Sequence, residues 1–514
     1  MARFKTVDMS PRLLPVVLEE QILAGTFEHA LHVLIDTEFD LSSLAAKFKN
    51  DDTGAPAYDP AVMLKIVLLA YSRGIVSSRA IERTCMENVL FMAISGDTQP
   101  AYTTIASFIR GLSEEIAKIF TEVILICDRQ GLIGRQMFAI DGLKLPSNAS
   151  KAKSGTHAEL DERATSIEAR VKAMLGEHAK RDKRATHRST EQAEQHDKDL
   201  TALKALRTEA KSIREFLRTK EKRQASPSAP ERKSNLTDND SAKMATSKGV
   251  IQGYTGAATV DSAHQIIVGA KAHGSGSEQT LLVPMIEQAR AFASDTTVMT
   301  ADAGYHSESN LARLAEKGIP ALIADGLMRK RDERFKDQGK YKQGPDPLYD
   351  KTPKNPNAST GKFTPQDFRY DKATNSLICP AGKALYSNGS QCTTRGKTHH
   401  KFTGAKRDCG PCHLRDQCLR TPDKTPVRQV AIFHKHQPSS APHTEAMRQR
   451  IDSPEGRLQY GRRIATVEPV FGNLRYNKRL DRFTLRGQSK VDTQWKLYCM
   501  VHNIEKLAHH GYAQ

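Results

Sequence analysis

At 514 residues the chain is long enough for about two to four domains and at least one sizeable core. Its 77 Lys and Arg against 59 Asp and Glu leave a formal charge of +18. That excess suits a polyanionic partner, because a Lys or Arg beside a phosphate releases condensed counterions, and it also fits a merely soluble basic protein. No apolar run reaches the roughly 18 residues of a membrane span. The N-terminus carries acids too early for a signal peptide, and eight thinly spread cysteines fit reduced thiols, so the expectation is a cytoplasmic chain with no membrane partner.

In chain order, residues 1–130 read as an all-helical N-terminal domain. PAVMLKIVLLAYSRG has the apolar spacing of a buried helix, SSRAIERTCMENVLFMAI follows a Ser-rich start that can cap one, and AYTTIASFIRGLSEEIAKIFTEVILICDRQG continues the amphipathic pattern. Short helices between polar turns fit a DNA-binding helix-turn-helix unit, and plain packing gives the same pattern. Residues 131–155 change character: QMFAIDGLKLPS reads as a strand followed by a turn. Residues 156–235 read as a helical hairpin insertion, highly charged from about 156 to 225, with Leu160, Ala164, Ile167, Val171 and Met174 at spacings of 4, 3, 4 and 3. Leu203, Leu206, Ala210, Ile213 and Leu217 recur at 3, 4, 3 and 4, which predicts two narrow seams of a coiled-coil hairpin turning near 181–195.

Residues 225–247 read as a loop, and strands resume in 236–326 with GVIQGYTGAATVDSAHQIIVGAKAHG, a hairpin around Asp261 and Ser262. A helix (EQTLLVPMIEQARAFA), a strand (TTVMTADAG), a helix (ESNLARLAEKG) and a strand (IPALIAD) follow. This order predicts an α/β sheet with an antiparallel hairpin and no GxGxxG dinucleotide fingerprint. Residues 327–445, rich in Pro, Lys, Asn and Gly, read as a loop-rich insertion holding most of the cysteines, and 446–514 as closing helices, with Trp495, Tyr498, Val501 and Ile504 on a face that packs the sheet.

Three carboxylates stand out against this frame. Asp141 follows Phe138-Ala139-Ile140 and Asp302 follows Val298-Met299-Thr300-Ala301, each where an apolar strand is expected to stop. Glu468 lies on a basic helical stretch with Tyr460, Arg463, Arg475 and Lys478, and Arg475 falls two turns on, on the same face. Hard oxygen ligands held at strand ends suit Mg²⁺ or Mn²⁺, and a pair of such ions can activate an attacking oxygen and stabilise a leaving one in a phosphodiester. Each acid alone is as readily a turn, a cap or a surface salt bridge; the combination points to metal.

FAIDGLKLPSNASK, TADAGYHSE and the Tyr460–Arg463–Glu468–Arg475 run resemble the three signatures of DDE transposases of bacterial insertion sequences. The resemblance is closest to the eleven-eighty-two group within the wider insertion-sequence-five type, and PAYTTIASF, SNLTD, KGVIQGY, the cysteine cluster and HNIEKL extend it over most of the chain. It implies an RNase H-like core with Asp141, Asp302 and Glu468 as the catalytic triad holding two Mg²⁺ or Mn²⁺ ions, and Tyr460, Arg463, Arg475 and Lys478 beside DNA. It implies double-stranded DNA partners, namely terminal inverted repeats and target DNA, and at least a homodimer to pair two ends. This chain departs from the family pattern in having four residues, not three, between Arg463 and Glu468, and Arg475 at a lysine position. A catalytically inactive DNA-binding relative and an RNase H-like nuclease are the competing readings.

The cysteines form a second constellation. Cys409 and Cys412 make one CxxC, and Cys418 and Cys379 complete four thiols on the insertion, a set that fits a structural tetrahedral Zn²⁺ site. Cys392 is a substitute ligand, His413 a weaker one, and free buried thiols the alternative.

Overall fold

The computed structural model describes residues 15–48, 56–184, 190–224, 230–246, 249–335, 362–371, 373–390, 392–394, 397–433 and 441–512. The chain divides into two compact units, one of Met1–Met328 with Ala446–Gln514 and the other of Arg329–Glu445.

The first unit opens with helices α1 (Phe27–Val33), α2 (Ser42–Ala45), α3 (Pro60–Ser72), α4 (Ser78–Glu87), α5 (Val89–Ser95), α6 (Tyr102–Gly111) and α7 (Ile116–Arg129). Helix α3 shows why they form. The Asp59 carboxylate accepts the Ala61 N–H at 2.7 Å and Pro60 supplies a fixed first turn. Met63 to Tyr71 are then all buried, because neighbours cover every side of it.

The sheet begins with β1 (Met137–Pro146), and a two-residue ladder of β2 (Ser154–Gly155) with β3 (Ser234–Asn235) brackets helices α8 (His157–Arg184) and α9 (Thr190–Thr219). The two predicted seams face each other: Leu160, Ala164 and Ile213 form a small core flanked by Ile167 and Leu217. Arg163 meets Glu209 and Arg214 spans Asp161 and Glu168, so the helices run back along one another. Then come β4 (Ala242–Thr246), β5 (Gly249–Asp261), β6 (Ile267–His273), helix α10 (Leu282–Ala289), β7 (Val298–Ala301), helix α11 (Glu308–Glu316) and β8 (Ala321–Ile323). β4 replaces part of the expected 225–247 loop; of its side chains only Met244 is buried, so its polar face hid it from a hydrophobic pattern.

β1 pairs antiparallel with β5 and parallel with β7; β5 pairs antiparallel with β6 and β4; β7 pairs parallel with β8. Leaving β4 aside, the order is third, second, first, fourth, fifth strand, compatible with an RNase H-like core. The chain returns to this unit through α14 (Pro442–Asp452), then α15 (Pro454–Gly472) and α16 (Gln488–His509). Helix α16 exceeds its sequence-based expectation of a single packing face: Trp495 to Ile504 are buried without a break, between the sheet on one side and α1, α3 and α7 on the other. Its polar side chains finish the outer edge of β6. Asn503 accepts the Ile267 N–H and donates to the Ile267 carbonyl, both at 2.9 Å, Asp492 accepts the Ala272 N–H at 2.7 Å, and Gln488 accepts the Gly274 N–H at 3.1 Å. An edge strand with unpaired amides is thereby closed. Gly256 lets the helix approach, since a Cβ there would stand 2.9 Å from the Trp495 ring.

The second unit corrects the expectation of a loop-rich insertion. β9 (Arg369–Asp371), β10 (Ser376–Ile378), β11 (Ala384–Ser387), β12 (Cys392–Thr394), β13 (Lys397–Thr403) and β14 (Gln429–Phe433) form one antiparallel sheet, with α12 (Lys406–Cys409) and α13 (Arg415–Cys418) between the last two. Phe368, Leu377, Leu385, Phe402 and Val430 form its core. Strands of three or four residues offer too few alternations to be read between Pro, Gly and Lys.

Candidate active site

Asp141 and Asp302 are brought together by the register of two parallel strands. β1 does not stop at Asp141, as its apolar run suggests; it continues to Pro146, paired with β5 from Phe138↔Asp261 to Pro146↔Gly253. What stops is its other neighbour, because β7 ends at Ala301, opposite Ile140. Asp141 and Asp302 are the next residues on strands spaced about 4.8 Å apart, in a notch beyond the carboxyl end of β7.

Glu468 comes from α15, which starts with Ser453 accepting the Gly456 N–H at 3.0 Å and Pro454 in its first turn. Arg463, Thr466, Val467 and Val470 form its buried side, while Glu468 is exposed. Pro469 follows at once, and its missing N–H leaves the Ala465 carbonyl without its helical donor. The Gln265 side chain fills that place with a hydrogen bond of 3.3 Å. After Gly472 the helix passes into a π-turn, Asn473–Asn477. The regular helical face expected to join Glu468 to Arg475 is therefore interrupted.

The three acids share one electrostatic neighbourhood. Burial pushes the Asp141 pKa up; the Arg463 guanidinium and the Gly142 N–H pull it back, and the charges of Asp302 and Glu468 push it up again. Arg463 Nη2 lies 2.8 Å from Asp141 Oδ2 and donates to the Ile140 carbonyl at 3.2 Å, with the arginine side chain only 7% exposed. Arg463 thus supplies the positive charge that Asp141 faces. Among the described residues, no group of three or more His, Cys, Asp or Glu is gathered so that it could hold a metal ion as placed.

Sequence reasoning missed two residues here. Glu278, on the turn after β6, lies with Oε1 3.3 Å from Lys144 Nζ. Burial raises its pKa, Lys144 lowers it, and Asp302 and Asp141 raise it further. The hydroxyl of Tyr305, a fully buried side chain, has no hydrogen-bond partner among the described residues. The only sequence signal was an acid and a tyrosine in loops that follow core strands, and loops hold many such residues.

Of the four groups expected beside DNA, two are turned inward. Arg463 is committed to Asp141, and Lys478, its side chain 8% exposed, holds Glu505 at 2.6 Å. Tyr460 packs against Leu322, Ala324 and Ile451, while Arg475 sits half-exposed in the π-turn.

In the second unit, Cys379, Cys409, Cys412 and Cys418 all line one cavity of about 30 Å³. Burial raises the Cys418 thiol pKa, Arg428 lowers it, and Cys409, Cys379 and Cys412 raise it, which places the four sulfurs in one neighbourhood. The Lys383 N–H donates to Cys379 Sγ at 3.3 Å. Cys392 lies off this cavity, its Sγ against the Asn388 and Gly389 carbonyls.

A carboxylate pocket on this strand order is compatible with enzymes that process nucleic acids on an RNase H-like core. Residues 378–508 match the family model of the transposase DDE domain, and residues 16–111 match a transposase domain described as DUF772. The two matches are consistent with a DDE transposase of an insertion sequence, and the DDE domain family implies an enzyme that cleaves DNA and transfers its strands. The DDE match includes Glu468 and the four cysteines, while Asp141 and Asp302 lie outside both matches. Comparison with curated proteins and with solved structures returned no match. No helix among the described residues is long and apolar enough to cross a membrane.

Proposed function

We propose that Asp141, Asp302 and Glu468 form the catalytic triad of an insertion-sequence transposase of the eleven-eighty-two group, acting on terminal inverted repeats and on target DNA. The observation that carries this reading is the register Ile140↔Ala301, which sets the two aspartates side by side, with Glu468 near enough to act on the Asp141 carboxyl. The residues fit a pair of divalent cations in their chemistry. The donors are hard carboxylate oxygens, Arg463 stands in as a positive charge at Asp141, and the orphaned Tyr305 hydroxyl lies among them. Mg²⁺ or Mn²⁺ held there would activate the attacking oxygen and stabilise the leaving one, first for water at the transposon end and then for the freed 3′-hydroxyl on target DNA.

The chain's own groups orient that chemistry. Arg463 fixes Asp141, and the Gln265 bond holds the helix at Pro469, directly after Glu468. Arg475, with its planar guanidinium, and Tyr460 would meet the DNA backbone. Two transposon ends require at least a dimer on DNA. The four cysteines of the second unit would hold a structural Zn²⁺, supported by their common cavity and by the amide bonded to Cys379.

The test is cleavage of a terminal-repeat duplex in Mn²⁺ by Asp141→Ala, Asp302→Ala and Glu468→Ala. Losing several kcal/mol of transition-state stabilisation, each should fall by about a thousandfold or more while still binding the repeat. Full cleavage by all three would sink the assignment. Binding without cleavage by the parent would favour a decayed relative, and equal cleavage of unrelated duplexes would favour a general nuclease.

A further inference from the structure

Glu278 is placed with unusual care for a loop residue. It follows Ser277 at the mouth of the turn into α10, and that turn is pinned to the Asp302 loop. Gln279 Nε2 donates to the His306 carbonyl at 3.1 Å, and Asn310 Nδ2 donates to the carbonyls of Gln279 at 2.8 Å and Tyr305 at 2.9 Å. Two glycines make room for the carboxylate. A Cβ at Gly142 would stand 3.2 Å from Glu278 Oε1, and one at Gly304 would stand 2.6 Å from Glu278 Oε2 and 3.0 Å from Asp302 Oδ1. The carboxylate therefore sits between the residue after Asp141 and the second residue after Asp302. A Cβ at Gly142 would also lie 3.3 Å from Tyr305 Oη, so the buried, unpartnered hydroxyl is aimed into the same space. Lys144 offsets one negative charge, and it does so from the Oε1 side.

An acid so close to other carboxylates is costly unless a cation joins them, and an orphaned hydroxyl inside the cluster has no role in packing. Taking the pocket to be the metal site proposed above, we propose that Glu278 is a fourth carboxylate of that pocket, sharing with Asp302 the binding of a divalent cation, and that the Tyr305 hydroxyl hydrogen-bonds within the loaded cluster.

The experiment is a Mn²⁺ titration of the full chain followed by electron paramagnetic resonance, run beside terminal-repeat cleavage. Glu278→Gln should weaken Mn²⁺ binding by about tenfold to a hundredfold, with Glu278→Asp intermediate and available should the amide variant not fold. Tyr305→Phe should weaken it by about fivefold, the worth of one hydrogen bond, without loss of stability. Lys144→Met separates the roles: were Glu278 only a salt-bridge partner, that variant would reproduce the Glu278→Gln stability change and both would bind Mn²⁺ as the parent does. Parent-like Mn²⁺ binding by Glu278→Gln and Glu278→Asp, with binding lost in Asp302→Asn, overturns the role of Glu278 and leaves the triad standing. Parent-like binding by Asp141→Asn, Asp302→Asn and Glu278→Gln together overturns both.

Discussion

Replacing Arg463 by Met tests the electrostatic logic of the pocket before any DNA is added. The substitution keeps most of the side-chain volume and removes the only ion-pair partner of Asp141 among the described residues, at 2.8 Å. Both groups are largely enclosed, with side chains 7% and 20% exposed, so the loss belongs to the buried class of broken pairs, about 3 kcal/mol of stability near neutral pH. The penalty has a pH signature. Burial already raises the Asp141 pKa, so between the ordinary value and the raised one the folded state holds a proton that the unfolded state releases, and removing Arg463 raises that pKa further. Stability lost at neutral pH should therefore return as pH falls from the raised folded value toward the ordinary 3.8. It should also return when Mg²⁺ is added near neutral pH, because a cation can replace the guanidinium. Denaturant unfolding of parent, Arg463→Met and Arg463→Lys, with and without Mg²⁺, measures all of this. Equal stability of parent and Arg463→Met in chelator, or a penalty that neither acid nor Mg²⁺ relieves, refutes the reasoning.

Acid should also act through His502, whose Nε2–H donates to the Gln265 carbonyl at 2.9 Å while Nδ1 accepts from Asn473 at 3.0 Å, a neutral ring satisfied on both sides. Burial lowers its pKa from 6.5 to about 4, so the unfolded chain binds a proton first; stability is fully present above 6.5 and falls by about 3 kcal/mol down to pH 4, a slope that His502→Gln should flatten in unfolding measured against pH. The purified chain should carry one zinc per protomer by elemental analysis, lost in Cys409→Ser with Cys412→Ser together with a lower melting temperature for the second unit; zinc-free parent protein with an unchanged melting temperature would remove that site. Gly256→Ala drives a methyl to 2.9 Å from the Trp495 ring and should cost about 1–3 kcal/mol in thermal unfolding, whereas an unchanged midpoint would mean that the helix can step back from the sheet.

The order of the core elements was legible because strands such as MFAID and TVMTA are buried on both faces and carry continuous apolar runs. Asp141 and Asp302 were legible for the same reason, as the first charges after those runs. The hairpin of α8 and α9 was legible because its seams repeat at helical spacing. What escaped lies where function of a residue depends on a distant partner. Nothing local says that Arg463 turns inward to Asp141, 322 positions earlier in the chain, or that Lys478 is taken by Glu505. The face shared by Glu468 and Arg475 assumed a regular helix, which Pro469 and the π-turn interrupt. Glu278 was invisible because its distinction is made by Gly142 and Gly304, two small residues on other elements that leave it space.

The bonds between β6 and α16 also carry a temporal meaning. Ile267, Ala272 and Gly274 find their last partners in Asn503, Asp492 and Gln488, more than 200 residues further on, and Glu468 follows Asp141 by 327 residues and Asp302 by 166. Pairings so distant in sequence are slow to close and come late. During synthesis the aspartates emerge long before the glutamate and the helix that seals the sheet, so the growing chain holds its acids apart.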